Sequence, residues 1–271
     1  MPIEMKIGVV GAAGRMGQMF IRQVVETKGC VVSGAVEAPE HALIGQDIGL
    51  LATIGKIGVA LSDDAGAMIE NADAIIDFTA PAVTARNAVI CKETGTALIA
   101  GTTGLDDDQN ATILDAAKSV PIVSAPNMSV GITLLLGLTE QVAGLLGPEF
   151  DIEIVEMHHR HKVDAPSGTA IGLGEAAAAG RQVTLRDVKQ VVRDGHTGAR
   201  PEGEIGFATL RGGNVVGDHT VVFAGEGERI ELTHKAASRV IFAGGAVRAA
   251  LWTRDKEPGF YSMKAVLGFE D

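Results

Sequence analysis

A β-branched run, Lys6–Val10, ends in Gly11-Ala12-Ala13-Gly14-Arg15-Met16-Gly17, and helical periodicity begins at once, with Met16, Phe20 and Val24 four residues apart. A strand that turns through three glycines straight into a helix can fold in few ways. Glycines let the backbone come close to a bound group, and the free N–H groups of the first helical turn point partial positive charge out of the loop. Gly29 ends the helix, Val31–Val36 reads as a second strand, and Glu37 closes it. A β-α-β unit with glycines at its first turn and an acid at the end of its second strand meets the contextual tests for a dinucleotide site. The pyrophosphate would sit on the helix start, and Glu37 would accept the adenosine ribose hydroxyls. The candidate contacts are Gly11, Ala12, Ala13, Gly14, Arg15, Met16 and Glu37. A glycine-rich turn without a ligand carries the same letters, so the strand, helix and acid around it decide the reading.

The next stretch, Ala38–Val59, is irregular and glycine-rich and is expected as a long surface excursion with one short strand. Ala74–Phe78, Ala97–Ala100 and Val120–Ser124 are short apolar strands. Between them Pro81 opens a helix to about Thr94, and Asp106–Lys118 is helical with its acids at the start. Apolar strands alternating with helices belong to a parallel sheet covered on both faces. Gly101-Thr102-Thr103 and Ala125-Pro126-Asn127-Met128 follow two of these strands. They border the crevice beyond the strands' carboxyl ends, where the nicotinamide end of a dinucleotide belongs. Ordinary strand-to-helix turns would look the same.

Past residue 128 the pattern changes. Ser129–Leu146 is a long apolar helix and Asp151–Met157 a strand. Three more strands are expected at Ile205–Arg211, Val215–Ala224 and Arg229–His234, joined by Gly212-Gly213-Asn214 and Gly225-Glu226-Gly227, which both read as hairpin turns. This half is mixed or antiparallel. Ser238–Trp252 returns to helix, and the last twenty residues read as short and irregular. The expected fold class is α/β: an N-terminal Rossmann-like parallel sheet followed by a second, α+β domain.

Aromatics are 4% of the 271 residues, so the core must be built from Ala, Val, Ile and Leu. A net charge of -11 argues against nucleic-acid binding. No run approaches the ~20 apolar residues of a membrane span. Cys30 and Cys91 form no CxxC and read as buried thiols of a cytoplasmic protein.

Against that acidic background stands His158-His159-Arg160-His161-Lys162, which holds three of the seven histidines. A solvated basic face would be built from Lys and Arg; histidines titrate near neutrality. Val163-Asp164-Ala165-Pro166-Ser167-Gly168-Thr169-Ala170 follows, with capping residues at a helix start that also suits a carboxylate. One segment therefore offers proton donors, positive charge and an anion cradle, as a reaction on a carboxylate substrate needs when a proton must accompany a hydride. Histidines adjacent in sequence are poorly spaced for one tetrahedral metal site, and no metal is expected.

The run from Glu156 through Ala170 closely resembles the signature of the 4-hydroxy-tetrahydrodipicolinate reductases, long called dihydrodipicolinate reductases. The resemblance extends through Asp77-Phe78-Thr79, Gly101–Gly104, Asn127–Gly131, Gly195–Gly198, Ile205–Ala208, Gly217–Thr220 and Thr233–Ala236. It implies a homotetramer that acts on a small cyclic dicarboxylate with NADH or NADPH in lysine and diaminopimelate biosynthesis. It also implies a dinucleotide-binding domain over 1–128 plus 240–271, and a substrate-binding and oligomerisation domain over 129–239. By resemblance His158 is the acid/base and Lys162 the proton donor to the ring. His159, Gly168 and Thr169 match substrate-binding positions. Gly11–Met16, Glu37, Gly101–Thr103 and Ala125–Met128 match cofactor-binding positions.

One departure bears on the cofactor. Many relatives carry Arg after the acidic residue, but this chain has Glu37-Ala38-Pro39, and Ala80 also stands where some have Arg. Glu37 would repel a 2′-phosphate, so NADH is expected to be preferred, with Arg15 left as the residue that could still meet NADPH. Two alternatives differ in their residue needs. Another two-domain reductase, such as one for an amino-acid semialdehyde, would want a nucleophilic Cys, and neither Cys30 nor Cys91 lies in a suitable loop. A non-catalytic NAD-binding regulator would have no use for His158 and Lys162.

Overall fold

The structure is a computed structural model that describes residues 4–269. The chain divides into two compact units: the residues up to Ser129 together with those from Val240 onward, and Val130–Arg239.

The first unit opens with β1 (Met5–Val10), α1 (Arg15–Glu26), β2 (Cys30–Val36), α2 (Ile48–Leu51), β3 (Leu61–Ser62) and α3 (Ala65–Glu70). It continues through β4 (Ala74–Asp77), α4 (Pro81–Thr94), β5 (Ala97–Ala100), α5 (Asp107–Ala116) and β6 (Pro121–Ser124). Each boundary has a local cause. α1 buries Gly17, Phe20, Ile21 and Val24, one stripe of an amphipathic helix. Pro81 starts α4, and Gly95 ends it in the left-handed region at φ 77°. Asp106 and Gln109 form a reciprocal capping box on α5. β4 and β5 are buried at every residue, as central strands covered on both faces must be.

The excursion at 38–59 differs from expectation. It contains a short helix, α2, and the short strand lies just beyond it at β3. Asp47 organises the segment, its carboxylate accepting the N–H groups of Gly49, Leu50, Ile57 and Gly58. Four backbone donors thus find an acceptor without a strand ladder.

The second unit comprises α6 (Val130–Leu145), β7 (Asp151–His158), α7 (Gly168–Gly180), α8 (Leu185–Val188), β8 (Lys189–Gln190), β9 (Ile205–Arg211), β10 (Gly217–Ala224) and β11 (Arg229–Ala236). Its sheet runs β11-β10-β7-β9-β8. β10 and β11 form the expected hairpin. Gly212-Gly213-Asn214 does not make one: β9 pairs parallel to β7, β10 pairs antiparallel to its other edge, and the turn carries the chain past the end of β7. β7 won both neighbours because it is the central strand of this sheet. Its alternate residues Ile152, Ile154, Glu156 and His158 are buried. Ile152 and Ile154 join Val221 and Phe223 in a core shared with Leu135 of α6 and Leu173 and Ala177 of α7. A Cβ on Gly180 would fall 2.2 Å from the Glu140 carbonyl oxygen, so these two helices approach closely only because glycine is there.

The chain then returns to the first unit with α9 (Val240–Thr253), β12 (Gly259–Tyr261) and α10 (Met263–Leu267). The tail read as irregular therefore holds a strand, and β12 extends the sheet to the all-parallel order β12-β6-β5-β4-β1-β2-β3. From β1 the chain winds outward through β2 and β3, then crosses to β4 on the opposite side. The topological switch point lies between β1 and β4, and their carboxyl ends flank the crevice where such sheets bind ligands.

Candidate active site

At the first unit's switch point, Gly11 adopts φ 68° and a Cβ there would lie 2.8 Å from the Thr79 methyl. A Cβ on Gly17 would lie 2.2 Å from the Gly11 carbonyl oxygen, so α1 abuts the loop with no room for a side chain. Gly14 caps α1 without any side-chain hydrogen bond. Among the described residues no side chain caps the first-turn N–H groups, which suits an outside acceptor such as a pyrophosphate. Ala12 donates to the Val36 carbonyl at 3.0 Å. Glu37 accepts the Ala13 N–H at 3.1 Å through one oxygen and the Ala38 N–H at 3.0 Å through the other. The acid at the end of β2 is thereby fixed beside the glycine loop. These residues fit a dinucleotide: a cradle that any Cβ would fill, an uncapped helix start and a neighbouring carboxylate.

The sequence reading gave Asp77 no role. It is fully buried at the end of β4 and accepts the Thr79 N–H at 3.1 Å, the Thr79 hydroxyl at 2.6 Å and the Asn87 amide at 2.9 Å. It therefore shapes the lip that faces Gly11. In the next loop Thr102 is buried and its hydroxyl bonds that of Thr84 at 2.7 Å, so its side chain serves packing, while Thr103 is exposed. Gly101 lacks a Cβ where the Phe78 ring would stand 2.2 Å away. In the last loop Ala125 donates to the Ala100 carbonyl and Asn127 accepts the Ser129 N–H at 2.9 Å. Met128 is fully buried and offers a ligand only its backbone.

In the second unit the histidine-rich segment lies where β7 ends. His158 is the last residue of β7 and faces inward. Its Nδ1 lies 2.5 Å from Glu156 Oε2, two residues back on the same strand face. Glu156 is only 1% exposed. It also accepts both terminal nitrogens of Arg211, at 2.9 and 3.0 Å, and the Ser167 N–H at 3.1 Å. Burial alone would raise its pKa, but the hydrogen bonds from Arg211, His158 and Ser167 outweigh burial and hold the carboxyl below the usual range. Ser167 caps α7, its hydroxyl accepting the Ala170 N–H at 3.2 Å and lying 3.2 Å from His219 Nε2. The His219 ring packs edge-on to His158 with centroids 5.1 Å apart. Burial, reinforced by the field of His158, pushes the His219 pKa down to about 4, so this ring is neutral near pH 7.

Lys162 reaches both oxygens of Asp164, at 2.7 and 2.8 Å. The Asp164 carbonyl in turn accepts an Arg211 nitrogen at 2.7 Å. His159 is half-buried, its pKa lowered by desolvation and then by the charges of Arg239 and His161. Gly168 and Thr169 begin α7, with open space where a Gly168 Cβ would stand. The structure therefore gathers His158, Lys162 and the start of α7 around Glu156 and Arg211. Sequence reasoning read Ser167 as part of a helix-start cap, as the structure has it, but quoted Glu156, Asp164 and His219 without assigning them roles and gave Arg211 none beyond a strand end. Strand periodicity could have placed Glu156 on the face of His158. Nothing local marks Arg211.

The N-terminal sequence model of the dihydrodipicolinate reductase family matches residues 5–128, and the C-terminal one matches 131–267. The 4-hydroxy-tetrahydrodipicolinate reductase of Rhodopseudomonas palustris strain BisB18 is 55% identical over 268 residues, covering 99% of both chains. That of strain TIE-1 is 53% identical at the same coverage. Among solved structures, the dipicolinate-bound dihydrodipicolinate reductase of Paenisporosarcina sp. TG-14 shares the fold, with TM-score 0.76 and 22% identity over 96% of this chain and 97% of that one. An amine dehydrogenase of Mycobacterium smegmatis shares it more distantly, with TM-score 0.61 and 14% identity over 95% of each chain. With matches that together span both units, the chain belongs to the dihydrodipicolinate reductase family.

Proposed function

We propose that this chain reduces 4-hydroxy-tetrahydrodipicolinate to tetrahydrodipicolinate with a nicotinamide nucleotide, in lysine and diaminopimelate biosynthesis. The observation that carries this reading is the pairing of His158 with buried Glu156, beside Lys162 and the start of α7, in a chain 55% identical to a reductase of that name. The first unit serves as the dinucleotide-binding domain and the second as the substrate-binding domain. The N–H groups at Gly168 and Thr169 receive a substrate carboxylate at a helix start, and His159 is a further substrate contact. The 4-hydroxyl leaves as water together with a hydrogen of the adjacent carbon, which puts a ring C=C in conjugation with the imine; when bound, the nicotinamide would supply a hydride to the electron-poor carbon that carried the hydroxyl. Lys162 gives the proton to the adjacent carbon. Its bond to Asp164 is no obstacle, because Asp164 is 56% exposed and an ion pair this open is worth only about 0–1 kcal/mol. His158 relays protons around the ring.

Glu37 sits beside the glycine loop, where it accepts ribose hydroxyls and repels a 2′-phosphate, and no basic residue follows it. NADH is therefore the preferred cofactor, and a homotetramer in the cytoplasm is the working form. The test is absorbance-monitored NADH oxidation with substrate generated freshly from pyruvate and aspartate semialdehyde, repeated with NADPH. Substrate-dependent oxidation, faster with NADH, is expected. No oxidation by folded protein with either nucleotide would refute the activity, and a tenfold advantage for NADPH would refute the preference.

A further inference from the structure

Glu156 and Arg211 lie 55 residues apart, yet they meet in a fork, each guanidinium nitrogen on its own carboxylate oxygen. Such a pair fixes direction as well as charge. What distinguishes it is the number of candidate site elements that converge on it. The Oε2 atom of Glu156 holds His158 at the end of β7. The Oε1 atom accepts the Ser167 N–H directly before Gly168 and Thr169. Arg211, at the end of β9, reaches on to the carbonyl of Asp164, whose carboxylate holds Lys162. One ion pair, its carboxylate buried and its guanidinium half-buried, thus contacts the elements carrying the acid/base, the carboxylate cradle and the proton donor.

We infer that Glu156 and Arg211 are positioning residues that set the tautomer of His158 and hold Lys162 and the start of α7 in working register. The inference rests on the roles proposed above for His158 and Lys162. An ionised carboxylate can only accept, so His158 Nδ1 carries a hydrogen and, in the neutral ring, Nε2 is left as the acceptor. Gly217 completes the device. A Cβ there would lie 3.0 Å from His158 Nε2, tighter than an ordinary contact, so glycine gives that nitrogen room on the β10 side. A ring oriented by a buried carboxylate presents the correct nitrogen without reorganising during the reaction. Arg211 keeps Glu156 ionised although burial opposes it.

Three measurements test this. In the wild-type protein, nitrogen-15 imidazole spectra at alkaline pH should show His158 as the Nδ1–H tautomer, with a far-downfield Nδ1 proton; an Nε2–H tautomer overturns the inference whatever the variants do. Glu156→Gln keeps the volume and removes the charge. Its kcat should fall about 10²-fold, with loss of the downfield proton and unchanged NADH affinity. A folded variant with wild-type kcat overturns the inference. Arg211→Lys keeps a charge but cannot fork, so KM should rise more than kcat falls, as expected when the cradle and the Lys162 loop loosen together; an unchanged KM removes Arg211 from the proposal. A wild-type protein without turnover would instead refute the reductase reading and leave the tautomer result to stand alone.

Discussion

His219 should make the second unit acid-sensitive by a calculable amount. The ring is 4% exposed, and its Nδ1 meets no hydrogen-bond partner among the described residues. Burial is the main cause of a pKa near 4, with the charge of His158 adding to it and Glu156 opposing it. In the unfolded chain His219 returns to about 6.5. Above that pH the ring is neutral in both states and has no linkage effect. As pH falls through 6.5 the unfolded state binds a proton that the folded state refuses, so stability is lost with falling pH until the folded ring also titrates near 4. A gap of about 2.5 units at 1.36 kcal/mol each comes to about 3 kcal/mol in total, of which about 2 kcal/mol is already lost by pH 5. The perturbation is His219→Gln, which retains a polar group near Ser167 but does not titrate. Urea unfolding of both proteins at intervals between pH 7.5 and 4.5 gives the difference between their slopes, in which the common contributions of His159 and His234 cancel. Wild type should lose about 2 kcal/mol more than the variant between pH 7.5 and 5. Parallel profiles would refute the claim that this ring is held neutral.

Gly17→Ala drives a Cβ into the Gly11 carbonyl and should cost about 1–3 kcal/mol of overpacking. If that displacement falls on the nucleotide loop, calorimetry should find NADH binding weakened by about ten- to a hundredfold; unchanged affinity would separate the loop from the ligand. Lys162→Ala should lower kcat by about 10²–10⁴-fold with NADH affinity intact, and an unchanged kcat would strip Lys162 of its proton. Phe223→Ala empties a fully buried position in the second unit's core. It should destabilise the protein by about 3–5 kcal/mol in denaturant unfolding, and a loss below 1 kcal/mol would mean that the core collapses around the gap.

The legible parts of the fold were those whose causes are local. Gly11, Gly14 and Gly17 mark a turn by their own geometry. Ala74–Asp77 and Ala97–Ala100 announce burial on both faces by an unbroken apolar run. Pairing partners are not local. Gly212-Gly213-Asn214 has the composition of a hairpin turn, but the turn cannot report that β7 fits between the strands it joins. β12 is three residues long, and its place in the sheet depends on β6, well over a hundred residues earlier. Met128 shows the same limit from the other side: the sequence places it in a loop after a strand, but its side chain turns into the core, and a Cβ on Gly245 would lie only 1.6 Å from its carbonyl oxygen.

The histidine-rich pentapeptide gives the sharpest case. In sequence it is one basic cluster, and in the structure its members separate because β7 stops at its first residue. His158 still obeys strand alternation and turns inward to Glu156. Beyond the strand the constraint lapses: His159 is half-buried, His161 is exposed with its ring 6.2 Å from that of His159, and Lys162 turns to Asp164. Neighbours in sequence therefore acquire different environments and different chemistry. His158 and Lys162 are set by acidic partners, Glu156 and Asp164, and Glu156 is itself held by an arginine from another strand. A basic motif alone would describe an anion-binding surface. It is the buried carboxylate two residues before it that gives one of its three histidines a direction, and so makes the segment suited to moving protons as well as to binding charge.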